Sequence, residues 1–247
     1  MSRVENCGDV MGRLGIEKKG LAETFPEFEE VKNWFLYGEI WEQGELDLKL
    51  RLLVTVAALA AVEGNDLEEQ LKTGLRNGLK PEELQEVFHQ AAPYIGFAKA
   101  EKGLEVLKKV FEAEQIALPL AVNGTVTEEN RLERGLAAQK SIFGAAIDQM
   151  RANAPQGQER LQDYLSAFCF GDTYTRAGLD LKTRELLTFV CISCLGGCDS
   201  QMRAHAGGNL AVGNSKAVLF SAVCQCLPYI GFPRALNAVA AINEAAK

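Results

Sequence analysis

Three residues in the second half of this chain, Glu185, Cys198 and His205, are of types that together can move a proton at a sulfur atom. Cys198 follows Gly196-Gly197 and falls at or just inside the start of a predicted helix. Unpaired backbone N–H groups and the positive end of the helix dipole favour a thiolate over a thiol there. His205 lies seven residues on, two helical turns, and so returns to the same face. The rise over that span is about 10 Å, so the two side chains do not touch and a water or another side chain must connect them. Gln201, between them on the same face, is the candidate to hold such a water. Glu185 belongs to the preceding predicted helix, and an antiparallel hairpin over Gly196-Gly197 would set it across from His205. The order carboxylate, imidazole, thiol suits passing a proton to and from a reacting sulfur.

Each residue also has an ordinary structural reading. A cysteine in a helical core is more often a small buried hydrophobe than a nucleophile. A histidine on a helix face is usually a surface or capped residue, and Glu185 could be solvated, although it interrupts an otherwise apolar helix. Cys191 and Cys194 have C-x-x-C spacing but lie inside the apolar run LLTFVCISCL. A redox dithiol normally opens a helix, so packing is the better reading. Cys224 and Cys226 face opposite sides of their helix and also read as packing. The cysteines offer no tetrahedral set with histidine, so neither a metal site nor a cofactor is expected.

The elements that must position these residues come in two copies. LDLKLRLL at 46–53 returns as LDLKTREL at 179–186, and PYIGF at 93–97 returns at 228–232. The first pair is offset by 133 residues and the second by 135, so the later copy carries a two-residue insertion, and it falls where the chemistry is. Leu52 stands where the later copy has Glu185, and Gln70 where it has His205. Nearly every segment reads as helix: apolar runs of helical length are separated by turn residues, and β alternation is missing. Predicted helices run from Pro26 to about Gly38, 48–62, from Gly64-Asn65-Asp66 to Asn77-Gly78, from Pro81 to Pro93, and from about 97 to 112. The later set comprises 161–170, 181–195, 198–213, 215–226 and 232–246. In each PYIGF, proline is expected to end a helix, tyrosine and phenylalanine to supply buried area, and glycine to permit the bend. Thr125 and Glu128 are spaced as a capping box. The expected division is a first repeat over 1–117 with a degenerate site, a linker over 118–124, and a second repeat over 125–247 with the candidate site.

Composition narrows the partners. A net charge of −7 argues against a nucleic-acid backbone, because phosphate contacts need a basic surface. The N-terminus lacks an apolar signal core and no stretch reaches membrane-spanning length, so a cytoplasmic protein without membrane contact is expected. Seven cysteines without a secretory signal argue for reduced thiols rather than a disulfide framework.

The runs LDLKTRELLTF, GGCDSQMRAH and VGNSKAVLFSAVCQCLPYIGFPRALNA together resemble the carboxymuconolactone decarboxylase family, which includes alkylhydroperoxidase-D-like thiol peroxidases. The first copy, with its NGLKPEEL turn, is similar to the decarboxylase branch. The resemblance covers about 36–113 and 131–246. It implies an all-α fold of two tandem helical repeats and obligate homo-oligomers, with a trimer favoured for a tandem chain. In the peroxidase branch a glutamate, two cysteines in C-x-x-C spacing and a histidine form the site. Glu185, Cys198 and His205 match three of these, while Gln201 stands in the place of the second cysteine. Cys194 is then the candidate resolving thiol, if the glycine turn brings it near, and otherwise an external thiol reductant is needed. In the decarboxylase branch a histidine on this helix acts without any cysteine.

The leading expectation is therefore a peroxiredoxin-type antioxidant activity, a thiol-dependent peroxidase or disulfide oxidoreductase acting on a hydroperoxide. The alternatives are a cofactor-independent lyase using His205 on a small carboxylated lactone, and a non-catalytic redox-sensing assembly protein. For the lactone, Arg184, Arg203 and Arg234 are the candidate basic residues.

Overall fold

The computed structural model describes residues 1–17 and 20–247. Among them there are twelve α-helices and no β-strand. The first copy contains α1 (Arg3–Leu14), α2 (Pro26–Asn33), α3 (Leu48–Val62), α4 (Leu67–Arg76), α5 (Pro81–Ile95) and α6 (Phe97–Ala113). The second contains α7 (Arg131–Phe143), α8 (Ala146–Ala152), α9 (Glu159–Tyr164), α10 (Leu181–Leu195), α11 (Asp199–Ala211) and α12 (Lys216–Ala245).

Helices α3 and α10 form the centre, and each starts on the same signal. Asp47 accepts from the Leu50 N–H and Asp180 from the Thr183 N–H, both at 2.8 Å, satisfying a backbone donor that has no partner within the helix. Every side chain from Arg51 to Ala61 and from Arg184 to Cys194 is buried. The two helices pack on each other and join both copies in one apolar core. Each fully buried leucine or phenylalanine there contributes roughly 1.5–3 kcal/mol. Both helices match the ranges read from the sequence.

Other expectations are corrected. Pro93 does not end α5 but sits inside its last turn. The break comes at Gly96, with φ 81° and ψ 155°, and in the second copy at Gly231, with φ 73° and ψ 168°. Gly231 thus divides the 30-residue apolar run of α12, leaving neither half at the roughly 20 residues that a bilayer crossing requires. The helix opened by Pro26 passes Gly38 as a π-helical stretch, Trp34–Ile40, and α9 continues likewise through Leu165–Tyr174. The capping box is not formed: Thr125 donates to the Thr175 carbonyl, and α7 begins at Arg131 after Asn130.

Helix α1, which was not recognised in the sequence, corresponds to α7. Gly38 lies so close to the Arg3 carbonyl, and Gly171 to the Arg131 carbonyl, that an added Cβ would sit 2.2 Å from either oxygen. Arg3 pairs with Glu39, and Arg131 with Asp172, beside the same glycines.

Candidate active site

Glu185 and His205 meet. The hairpin of α10 and α11 turns through Gly196 and Gly197, with φ of 71° and 69°. It brings His205 Nδ1 to 2.7 Å from Glu185 Oε1. Glu185 is 0% exposed and His205 8%. Asn209 fastens the two helices, donating from Nδ2 to the carbonyls of both Glu185 and His205 at 3.0 and 2.7 Å. The Tyr94 and Phe143 rings meet the imidazole edge-on, at centroid distances of 5.6 and 5.4 Å. Among the described residues Nε2 has no hydrogen-bond partner. With Nδ1 held by a carboxylate, Nε2 is the nitrogen left for chemistry.

A second layer surrounds Glu185. Tyr174 donates to Oε2 at 2.6 Å and contacts Thr188 Oγ1 at 2.8 Å and Tyr94 OH at 3.3 Å. Cys169 Sγ donates to Tyr94 OH at 3.2 Å. Burial pushes both tyrosines well above the ordinary phenol range and the Cys169 thiol up to about 12, so all three keep their protons at neutral pH. Tyr94 belongs to the first copy, so both copies build this one site. Reading the sequence missed Tyr94, Cys169, Tyr174 and Thr188. A signal was present for one of them: Tyr174 aligns with Trp41 at the same offset that sets Glu185 against Leu52.

The remaining candidates lie apart from this cluster. Cys198 is partly exposed, occupies the position before the first residue of α11, and donates to the Gly196 carbonyl at 3.5 Å. Gln201 is exposed and accepts from Ser200 at 2.9 Å. Among the described residues no hydrogen bond joins Cys198 to His205, Glu185 or Gln201. Cys194 is buried in α10, and its hydrogen-bonded neighbour Cys226, together with burial, raises it well above the ordinary thiol range.

The three arginines also have other engagements. Arg184 is enclosed, bound to Glu86, Gln90 and the carbonyls of Arg176 and Ala177. It cannot hold a substrate carboxylate as expected from the sequence. Arg203 approaches Glu244 at 3.9 Å, and Arg234 donates to the Cys194 carbonyl at 2.8 Å.

In the first copy the matching place is electrically plain. Leu52 replaces the carboxylate, and Gln70 Nε2 donates to Tyr37 OH at 3.0 Å. Among the described residues no carboxylate binds the amide, which cannot exchange a proton as imidazole does.

Two helical repeats joined through a buried helix pair, with an acid–imidazole dyad in one of them, define a tandem all-α protein with a single differentiated site. The chain belongs to the carboxymuconolactone decarboxylase family, whose model matches residues 26–109 and 159–244. It is 26% identical over 123 residues to a 4-carboxymuconolactone decarboxylase of Acinetobacter baylyi, a match covering 49% of this chain and 91% of that protein. A solved structure from Burkholderia xenovorans LB400, described as a gamma-carboxymuconolactone decarboxylase subunit, shares the fold at a TM-score of 0.55. Its sequence identity is 21%, over 98% of this chain and 96% of the other.

Proposed function

We propose that the protein is a cofactor-independent lyase that removes carbon dioxide from a small carboxylated lactone, with His205 as its acid–base group. The observation that carries this reading is the 2.7 Å contact between His205 Nδ1 and buried Glu185, which leaves Nε2 without a partner among the described residues. The name of the Acinetobacter relative supports the substrate class. As the bond to the departing carboxylate breaks, its electron pair passes into the conjugated lactone as an enolate. The imidazolium of His205 then delivers its Nε2 proton to carbon, and CO2 leaves. That proton is taken from solvent by the bare Nε2 of the resting imidazole, Glu185 stabilises the imidazolium so formed, and transfer to carbon restores the resting tautomer. No thiol is required.

The test is release of carbon dioxide from 4-carboxymuconolactone. His205→Ala is expected to lower kcat by about 10²–10⁴-fold, and Cys198→Ser to leave it within a few-fold. Turnover that survives His205→Ala but not Cys198→Ser overturns the proposal.

One observation favours a second reading, a thiol-dependent peroxidase. Cys198 is partly exposed at the N-terminus of α11, within reach of a small peroxide. Its sulfur would attack a peroxide oxygen, break the O–O bond, release an alcohol or water and become a sulfenate, which an external thiol then reduces. Hydroperoxide consumption with a dithiol, abolished in Cys198→Ser, is the result that would establish it. Self-association as a trimer belongs to either reading, supported by repeat-related Phe97 and Phe232, which are 60% and 62% exposed. Sedimentation at monomer mass would remove it.

A further inference from the structure

The hydrogen bonds around Glu185 run in one direction, and counting hydrogens fixes that direction. Tyr174 has a single hydroxyl proton and gives it to Glu185 Oε2. Its oxygen must therefore accept in its two other contacts, with Tyr94 at 3.3 Å and Thr188 at 2.8 Å. Tyr94 donates to Tyr174 and in turn accepts the Cys169 S–H. Thr188 donates to Tyr174 and accepts from Gln90 Nε2 at 3.0 Å. The orientation of the Gln90 amide is settled by Arg184, which can only donate and which meets Oε1 at 3.1 Å. Glu86 holds Arg184 in place at 2.8 Å.

Gln90 and Tyr94 are four residues apart on α5, and so on one face of a helix that belongs to the first copy. We infer that α5 positions the site of the second copy: its Gln90 and Tyr94 aim two hydrogen-bond branches at Tyr174, and through it hold the Glu185 carboxylate that fixes the His205 tautomer. Glu185 then receives Tyr174 O–H on one oxygen and His205 Nδ1–H on the other, which keeps Nε2 bare. Gln90 and Tyr94 are positioning residues, and the first copy is a working part of the site rather than a support for it. The inference rests on the His205 site proposed above.

The internal repeat supplies a control. Gln225 of the second copy reaches back to Thr55 and Arg51 of the first, at 3.1 and 3.0 Å, as Gln90 reaches Thr188 and Arg184. Tyr229, the counterpart of Tyr94, carries a buried hydroxyl with no hydrogen-bond partner among the described residues. Trp41 stands in the place of Tyr174 and Leu52 in the place of Glu185, so the reciprocal branches have nothing to polarise. The same two residues are thus present in both directions, and only one direction ends on a carboxylate.

The chain has two histidines, His89 and His205, so a full-length ¹⁵N-labelled His89→Gln protein presents His205 alone to imidazole NMR. The expected spectrum is that of the Nδ1–H tautomer. Tyr94→Phe and Thr188→Val, each removing one branch, are expected to move the Nδ1–H proton downfield, because Glu185, sharing less charge with Tyr174, draws harder on the imidazole. Tyr229→Phe is expected to leave it unchanged. An Nε2–H tautomer overturns the inference, and so does a folded Tyr94→Phe protein whose spectrum matches that of Tyr229→Phe. Should Tyr94→Phe fail to fold, an unmoved resonance in Thr188→Val overturns it instead. The spectrum needs no substrate, so it separates the two claims. A responsive resonance in a protein inactive on the lactone keeps the inference and removes the proposed function, while an active enzyme with an unresponsive resonance does the reverse.

Discussion

Gly208 is the residue on which the geometry of the dyad turns. It lies on α11 one position before Asn209, and a Cβ there would stand 2.5 Å from Glu185 Oε1 and 2.9 Å from Phe143 Cε1. The carboxylate can reach His205 because the helix surface facing it is bare. The first copy has Thr73 at this position, and Leu52 needs no such clearance. Gly208→Ala is therefore expected to push the Glu185 carboxylate off the imidazole. The cost should be about 1–3 kcal/mol of stability, read as a lowered thermal midpoint. Lactone turnover should fall at least as far as in Glu185→Gln, which keeps the shape and removes the charge. A Gly208→Ala enzyme with unchanged melting and turnover would show that the dyad tolerates displacement. Residues of this kind are hard to find in a sequence, because a helical glycine is valuable only through the neighbour it admits.

At the scale of elements, the PYIGF segments were read half correctly: the glycine makes the bend as expected, while the proline does not end the helix and the phenylalanines, Phe97 and Phe232, are exposed rather than buried. Proline marks the right region, but it sits inside the last turn of α5, and the chain turns at Gly96. Its φ of 81° and ψ of 155° belong to a region that is almost closed to residues with a Cβ. Nothing lies within 4 Å of where a Cβ would be, so Gly96→Ala is expected to cost only the backbone strain, roughly 1–3 kcal/mol. The urea midpoint measures that loss. Because Tyr94 lies two residues earlier, the same variant should also disturb the site's hydrogen-bond chain. Helices α3 and α10 were legible to the residue because each is a largely apolar run of helical length ended by glycine-containing turn residues. Helix α1 was missed although its signals are present: Ser2 and Glu5 form a capping box, Gly15 closes the helix, and buried Cys7, Val10, Met11 and Leu14 recur at helical spacing.

For the whole molecule, the joint between copies is polar as well as apolar. Glu86 of α5 is fully enclosed and binds Arg176 and Arg184 of the second copy, each at 2.8 Å. Burial by itself would raise the Glu86 pKa, but the hydrogen bonds and charges of Arg176 and Arg184 outweigh it and hold the carboxyl below its ordinary value of 4.5. The sign follows from linkage. A carboxyl whose pKa is depressed on folding contributes stability above the unfolded value, and that contribution is lost as pH falls through the folded value. The urea midpoint is expected to fall on acidification below about pH 4.5, more steeply in the wild type than in Glu86→Gln. At neutral pH Glu86→Gln should cost about 3–5 kcal/mol, since it strands two arginine charges in the interior. Equal acid sensitivity in both proteins would remove Glu86 from the account.

The sequence by itself determined the helical class, the duplication and the two central helices, and it offered Glu185 and His205 as candidates; their contact was decided by the tertiary structure. All of these readings rest on local signals or on comparing one copy with the other: an apolar run of helical length, a repeated motif, a carboxylate where its counterpart has leucine. Only the tertiary structure decided that Tyr174 and Tyr94 enclose that carboxylate and that Arg184 is sealed against substrate. The separation of Cys198 from His205, two turns along α11, was already set by their spacing in the sequence. Tyr94 lies 91 positions before Glu185 in the chain and reaches it through the packing of α5 against α10. Such a contact depends on the relative placement of two helices from different copies, which the pattern within either helix does not encode.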